Sequence, residues 1–364
     1  MKSKVKRMAL LLAAFFILFN TWPVFGVQVR LDQKIEFSAA DGLTPLKTQG
    51  FCLTEDELFI TPNQAKGRIE ISEINGSRLE LINVIGRKGF EFLEPTFCCY
   101  NQKEGRLAVL DFGKRKILTY DRLGRNEFKR TSEIPCLRLA TDIQLMGEKE
   151  AERLLIAGYM TDENGNPFDL YEISADGQIT PILSSFEKYG LKSNEEYEIE
   201  YRQKPNIKAK GINSCFDVQG DDVYFAWEAN YKIIKLNLKS RQVSYFGQKP
   251  RNYVEPAADK LVEAFQKRNN EMMKTARESM SYIAKVFTTD VFVLVIFAGP
   301  FNQANGFNYT LQLYDLNGKY LGETAVPGQP EDRMHFDKGR KILYSLLRNS
   351  VNSGYIISKY MVSK

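Results

Sequence analysis

The chain has 364 residues, 43% of them apolar and 26% charged, which is enough for two average domains or one large all-β domain and argues against disorder. Its 24 Phe and 18 Tyr stand against a single His, so a His-based triad, a multi-His metal site and a His-ligated haem pair are all disfavoured. The formal charge of +5 comes mostly from Lys2, Lys4, Lys6 and Arg7; the rest of the chain holds 46 basic against 45 acidic residues, no electrostatic footprint for nucleic acid or an anionic membrane.

The basic start is followed by 12 apolar residues, Met8 to Phe19, and then by Val24 and Gly26 at the −3 and −1 positions of a cleavage site. This is the pattern of a secretory signal peptide, with cleavage expected between Gly26 and Val27. The alternative is an uncleaved N-terminal anchor, although the run is short of the ~20 residues a spanning helix needs. The expected location is periplasmic or extracellular. No membrane span is expected in the mature chain, residues 27–364.

Val27, Val29, Leu31, Ile35 and Phe37 then alternate with Gln28, Arg30, Asp32, Lys34 and Glu36. Period two predicts a strand with one buried face. Beyond it the chain repeats. Gly105 to Asp121 and Asp222 to Asn237 each read as a strand, a polar turn and a second strand, as do Glu57 to Ile74, Arg153 to Ile173, Asp290 to Leu316 and Arg340 to Val362. Short apolar segments precede these hairpins, such as Phe97 to Tyr100 and Cys215 to Val218. Others follow them, such as Leu81 to Ile85 and Val243 to Phe246. The units start near Leu58, Leu107, Leu154, Val223, Val291 and Ile342, at intervals of 49, 47, 69, 68 and 51 residues. The two long intervals hold visible insertions: a charged segment near 188–210 and a helix candidate at 256–278. Six units of four strands predict an all-β, six-bladed β-propeller. The sixth unit runs out of chain after three strands, so the N-terminal strand is expected to close it.

Gly86 to Pro95, Leu107 to Asp111, Lys116-Ile117 and Tyr120-Asp121-Arg122-Leu123-Gly124 together resemble one blade of the NHL-like propellers. Tyr314 to Gly318 and Ile173 to Gly177 repeat the closing Asp-x-x-Gly or Asp-Gly turn. The mature chain as a whole resembles secreted bacterial six-bladed propellers of the NHL-like and TolB-like groups. That resemblance implies a fold and an exported location, and no catalytic residues.

Single residues read mostly as structure. Asp111 is expected to accept backbone N–H bonds from the turn 112–115. Cys52, Cys98, Cys99, Cys136 and Cys215 form no CxxC pair and are expected to act as small buried apolar residues, the alternative being one disulfide between neighbouring segments. His335 is expected to be structural. In the helix candidate Leu261, Phe265, Met272, Met273, Ala276 and Met280 share one face, which predicts a helix laid across the propeller.

Two long hairpin loops, 160–169 and 299–309, belong to units three and five and are expected on one face of the ring. They offer Asp162, Asn164, Asn166, Phe168, Asn302, Asn305, Phe307 and Asn308 as candidate ligand-binding residues. Asp162-x-Asn164-x-Asn166 faintly resembles a calcium loop but lacks the Gly and the terminal Glu, so no cofactor is expected, calcium being the alternative. The expected function is a monomeric, non-enzymatic binding or scaffold propeller that takes a protein partner or a polar ligand. The alternative is a metal-dependent hydrolase or lyase, lactonase-like, with Asp142, Asp217 and Asp337 near the central channel.

Overall fold

The computed structural model describes residues 28–37, 50–76, 78–86, 91–136, 140–147, 153–164, 166–174, 176–184, 214–227, 231–255, 269–302, 306–327, 333–348 and 355–363, with single positions 260, 263 and 267. They form a six-bladed β-propeller of 24 antiparallel strands. Blade one is β2 (Cys52–Leu53), β3 (Phe59–Asn63), β4 (Arg68–Asn75) and β5 (Arg78–Ile85). Blade two is β6 (Pro95–Asn101), β7 (Arg106–Asp111), β8 (Lys116–Arg122) and β9 (Phe128–Pro135). Blade three is β10 (Ala140–Met146), β11 (Arg153–Thr161), β12 (Pro167–Ser174) and β13 (Ile179–Ser184). Blade four is β14 (Ser214–Gln219), β15 (Asp222–Trp227), β16 (Ile233–Asn237) and β17 (Val243–Phe246). Blade five is β18 (Tyr282–Thr288), β19 (Phe292–Asn302), β20 (Gly306–Asp315) and β21 (Tyr320–Val326). Blade six contains β22 (Met334–Asp337), β23 (Ile342–Arg348) and β24 (Tyr355–Ser363).

Its fourth strand is β1 (Gln28–Phe37), which pairs antiparallel with β24 from Gln28↔Ser363 to Phe37↔Tyr355. The expected closure is therefore observed. Ile35 is fully buried, Val29 and Leu31 are partly buried, and Gln28, Arg30, Asp32 and Lys34 face outward. The pairing register shifts between Leu31 and Gln33.

The apolar residues gather between blades. Six clusters fill the six gaps between neighbouring blades. The gap between blades six and one holds Ile35, Phe51, Leu53, Phe59, Ile342, Tyr344 and Ile357. Each sheet is thus buried on both faces except at its outer strand, which is why the middle strands read as near-continuous apolar runs such as Leu107 to Leu110.

The lead-in that resembles the NHL blade has a steric reason. Gly86 has φ +78°, and a Cβ there would lie 2.5 Å from the Phe92 ring, which is fully buried. Asp111 accepts Lys114 N–H at 3.0 Å, as the turn reading expects, and also Leu93 N–H at 2.7 Å and Glu94 N–H at 2.9 Å. One carboxylate therefore pins the start of the blade to its first hairpin.

Much of the expected helix at 256–278 lies outside the described residues, although Lys260 and Glu263 are helical. The described helix α1 is Asn270–Glu278, and Asn269 caps it by accepting the Glu271 and Met272 N–H groups at 3.1 Å each. The periodicity from Pro256 concealed this cap, because Asn269 and Asn270 fall between apolar positions and read as surface. Ala276 is buried with Met280, just beyond the helix, in the core between blades five and six, as a helix laid on the propeller should be. The leader, the cleavage site at Gly26 and Val27, and the insertion near 188–210 lie outside the described residues. Among the described residues no helix is long and apolar enough to cross a membrane.

Candidate functional site

The first strand of every blade lines the propeller axis, and there the structure holds a cavity of about 370 Å³. All six blades contribute to its wall. Phe51, Phe97, Phe216, Phe287 and Phe336 supply rings. Asp142, Gln144, Asp217, Lys285, His335 and Lys338 supply polar and charged groups.

Asp217, from blade four, is the hub. Its Oδ1 accepts Gln144 Nε2–H of blade three at 2.8 Å and the Val218 N–H at 2.8 Å. Its Oδ2 accepts the Thr288 N–H at 2.6 Å and the Thr288 hydroxyl at 2.9 Å, both from blade five. Lys338, from blade six, reaches Asp217 at 2.9 Å and also donates to Val218 O at 3.2 Å and Thr288 Oγ1 at 3.1 Å. Four blades meet at one carboxylate. Burial alone would raise the Asp217 pKa, but Lys338 and the donors around it outweigh burial and hold the carboxyl below its ordinary value.

Asp142, from blade three, lies 3.4 Å from Lys285 of blade five. Here burial wins: the carboxyl is pushed above its ordinary value despite Lys285 and the Ile143 N–H, and the nearby Asp217 charge adds to the rise. The two channel carboxylates are thus held in opposite senses, one fully satisfied and one poised.

His335 lies against the Phe51 ring, with centroids 6.0 Å apart. Burial pushes its pKa down to about 4; Asp337 and Asp217 pull the other way, and Lys338 and Lys285 add to the fall. The imidazole is therefore neutral at pH 7. Asp337, grouped with the channel carboxylates in the sequence, does not line the cavity. It accepts Arg340 N–H at 3.0 Å and pairs with the Arg340 guanidinium at 2.7 Å.

None of the seven described loop residues lines this cavity. In blade three, Asp162 accepts the N–H groups of Asn164 at 3.0 Å and Asn166 at 2.7 Å, and Asn166 Nδ2–H at 3.0 Å, so these residues close a hairpin on one another. Phe168 is paired with Ser184 across β12 and β13. In blade five, β19 and β20 run on to the pair Asn302↔Gly306, with Asn302 and Asn308 exposed. Phe307 packs on Phe301 at 5.1 Å, Tyr282 at 5.8 Å and Tyr309 at 6.3 Å. Asn305 lies outside the described residues. The two hairpins stand on separate blades with blade four between them.

Sequence reasoning placed Asp142 and Asp217 near the channel and missed Gln144, Lys285, Thr288 and Lys338. A signal existed: charged residues inside short first strands, as in Tyr282-Ile-Ala-Lys285, have no place in an apolar gap and belong at the axis.

No family model and no curated protein matches the chain. Solved structures do resemble it. A member of the DUF4221 family from Bacteroides vulgatus superposes with a TM-score of 0.60 at 10% identity, over 93% of this chain and 99% of that one. A predicted exported protein from Bacteroides fragilis superposes with a TM-score of 0.58 at 13% identity, over 92% of this chain and 96% of that one. At such identities the likeness is one of fold, and what this chain shares with both proteins, along nearly their whole length, is the architecture of the six-bladed β-propeller.

Proposed function

We propose that this chain is an exported, non-enzymatic binding propeller that takes a small polar ligand in its central cavity. The observation that carries this reading is the axial cavity itself, lined by aromatic rings and by two ion pairs, each joining blades two apart in the ring. The Asp142–Lys285 pair is the recognition element, since an entering ligand with an ammonium or carboxylate group can exchange partners with it. The Asp217 hub holds the ring in shape around it. The leader pattern of residues 1–26 supports export, and so does the fold shared with a predicted exported protein.

The charge pairing favours binding over metal-dependent hydrolysis or lysis. Each channel carboxylate faces a lysine ammonium group, which repels a divalent cation. The hairpins at 160–169 and 299–309 are a second candidate surface, for a protein partner, and the test below separates them from the cavity.

The test is thermal melting of the purified chain against amino acids, dicarboxylates, sugars and nucleosides, each repeated in Lys285→Met. A compound that raises the melting temperature of the parent and not of the variant supports the cavity. A shift with calcium alone, reversed by chelator, overturns the non-enzymatic reading. Binding of a cross-linked envelope protein that is lost when both hairpins are shortened to Asn-Gly places recognition on the loops instead.

A further inference from the structure

Two of the cysteines, Cys52 and Cys98, stand in direct contact. Cys52 Sγ, on the first strand of blade one, lies 3.2 Å from Cys98 Sγ, on the first strand of blade two. None of the five cysteines is in a disulfide in this structure. The contact is selective. Successive residues of a strand point to opposite faces, and Cys98 packs in the gap between blades one and two, where Cys52 also lies, whereas its neighbour Cys99 packs in the gap between blades two and three. Cys136 belongs to that second gap and Cys215 to the gap between blades four and five. The two sulfurs also differ in access. Cys52 is buried, while Cys98 is partly exposed, and both line the axial cavity.

We propose that Cys52 and Cys98 are a redox-active thiol pair that closes to an inter-blade disulfide by exchange with a small disulfide such as oxidised glutathione. The sulfurs need to close by about 1 Å to reach the bonded separation of about 2.05 Å. Cys98, the accessible partner, attacks first as the thiolate. Its sulfur bonds to one sulfur of the small disulfide, whose S–S bond breaks, and one thiolate leaves with the electron pair. The Cys52 thiol then loses its proton and attacks the Cys98 sulfur, and the second small thiolate leaves. The protein gives up two electrons and two protons, and the disulfide is reduced to two thiols. Burial, with Cys98 beside it, pushes the Cys52 thiol well up, which suits the resolving and not the initiating role. Closing the bond stitches blades one and two together on the cavity wall, so the width of the channel mouth between them becomes dependent on redox state.

The proposal rests on the thiol contact, and on the exported reading only for where an oxidant is met. The purified, reduced chain is equilibrated with glutathione disulfide, its remaining thiols are trapped by alkylation, and the peptides are mapped. The expected result is a chain lighter by two hydrogens with one cross-linked peptide pair holding Cys52 and Cys98, formed equally well when Cys99, Cys136 and Cys215 are changed together to Ser. In Cys52→Ser a stable glutathione adduct on Cys98 is expected. Should that variant fail to fold, the mapping of the parent chain decides alone. Five alkylated thiols after equilibration, or a cross-link that joins Cys52 to Cys99, overturns the proposal. The redox state of the pair in cells tests export instead: a chain that oxidises when purified but is isolated reduced contradicts the exported reading and leaves the pair standing.

Discussion

At the scale of single residues, the axis is governed by charge pairing. Lys338 donates to Asp217, which is 5% exposed. Replacing Lys338 with Met removes that ammonium group from the buried carboxylate and leaves its neutral donors in place. Losing one partner of a buried pair costs about 3–5 kcal/mol; with Lys338 itself 38% exposed, about 1–3 kcal/mol is expected from urea unfolding. The double variant Asp217→Asn/Lys338→Met should cost less than the two single changes summed, because the pair acts as a unit. His335 gives a second expectation. Its pKa of about 4 lies below the roughly 6.5 of an unfolded histidine, so between those pH values the unfolded chain binds more protons. Its contribution is fully present above pH ~6.5 and is lost as pH falls through the folded value near 4. Unfolding free energies measured from pH 7 to pH 4 should fall by up to about 3 kcal/mol more in the parent than in His335→Gln. Equal slopes would show that the imidazole is not held neutral.

Single elements do different work around the ring. The strand β1 closes blade six. Ile35→Ala removes a fully buried side chain at the joint between blades six and one, and should cost about 2–5 kcal/mol. Deleting residues 28–37 exposes the edge of β24 and opens that gap, so the shortened chain should fail to yield a soluble protein with a cooperative melt. The helix α1 contributes locally. Asn269→Ala removes its cap and should cost about 1 kcal/mol by thermal melting, with ligand binding in the cavity unchanged.

Over the whole molecule, blade one is tied to both neighbours through one loop. Arg122 of blade two bonds Glu55 at 2.8 Å and both carboxylate oxygens of Asp56 at 2.8 Å. Arg340 of blade six donates to Glu55 O. Burial would raise the Asp56 carboxyl, but Arg122 and Thr54 outweigh it and hold the group below its ordinary value. Tyr344 of blade six reaches Glu57 at 2.9 Å, and Tyr224 of blade four reaches Leu316 O of blade five at 2.9 Å. Polar latches on the blade rims thus supplement the apolar gaps. Arg122→Met keeps the stem and removes the fork, so a loss of about 1–3 kcal/mol is expected, smaller at high salt where the exposed part of the pairing is screened.

The fold was legible because propeller blades are built from local signals. Hairpin alternation, turn residues and the interval near fifty residues all lie within one blade, and the observed β3, β7, β11, β15, β19 and β23 begin within a residue of the expected starts. The closing strand was legible too, since period two over Val27 to Phe37 needs only the strand itself. The Asp111 turn was read in part: the Lys114 bond is local, whereas Leu93 and Glu94 come from the preceding lead-in. The axis was not legible. Asp217 meets Lys338 across 121 positions and Lys285 meets Asp142 across 143, so no window of sequence contains either pair. Nor could the five cysteines be sorted, because the contact of Cys52 with Cys98 depends on which gap each strand face turns toward. The sequence by itself determined the blade, its count and its closure, since hydrophobic period and turn chemistry act between near neighbours. Only the tertiary structure decided which charges and thiols share the axis, because ring closure brings first strands far apart in the chain onto one cavity.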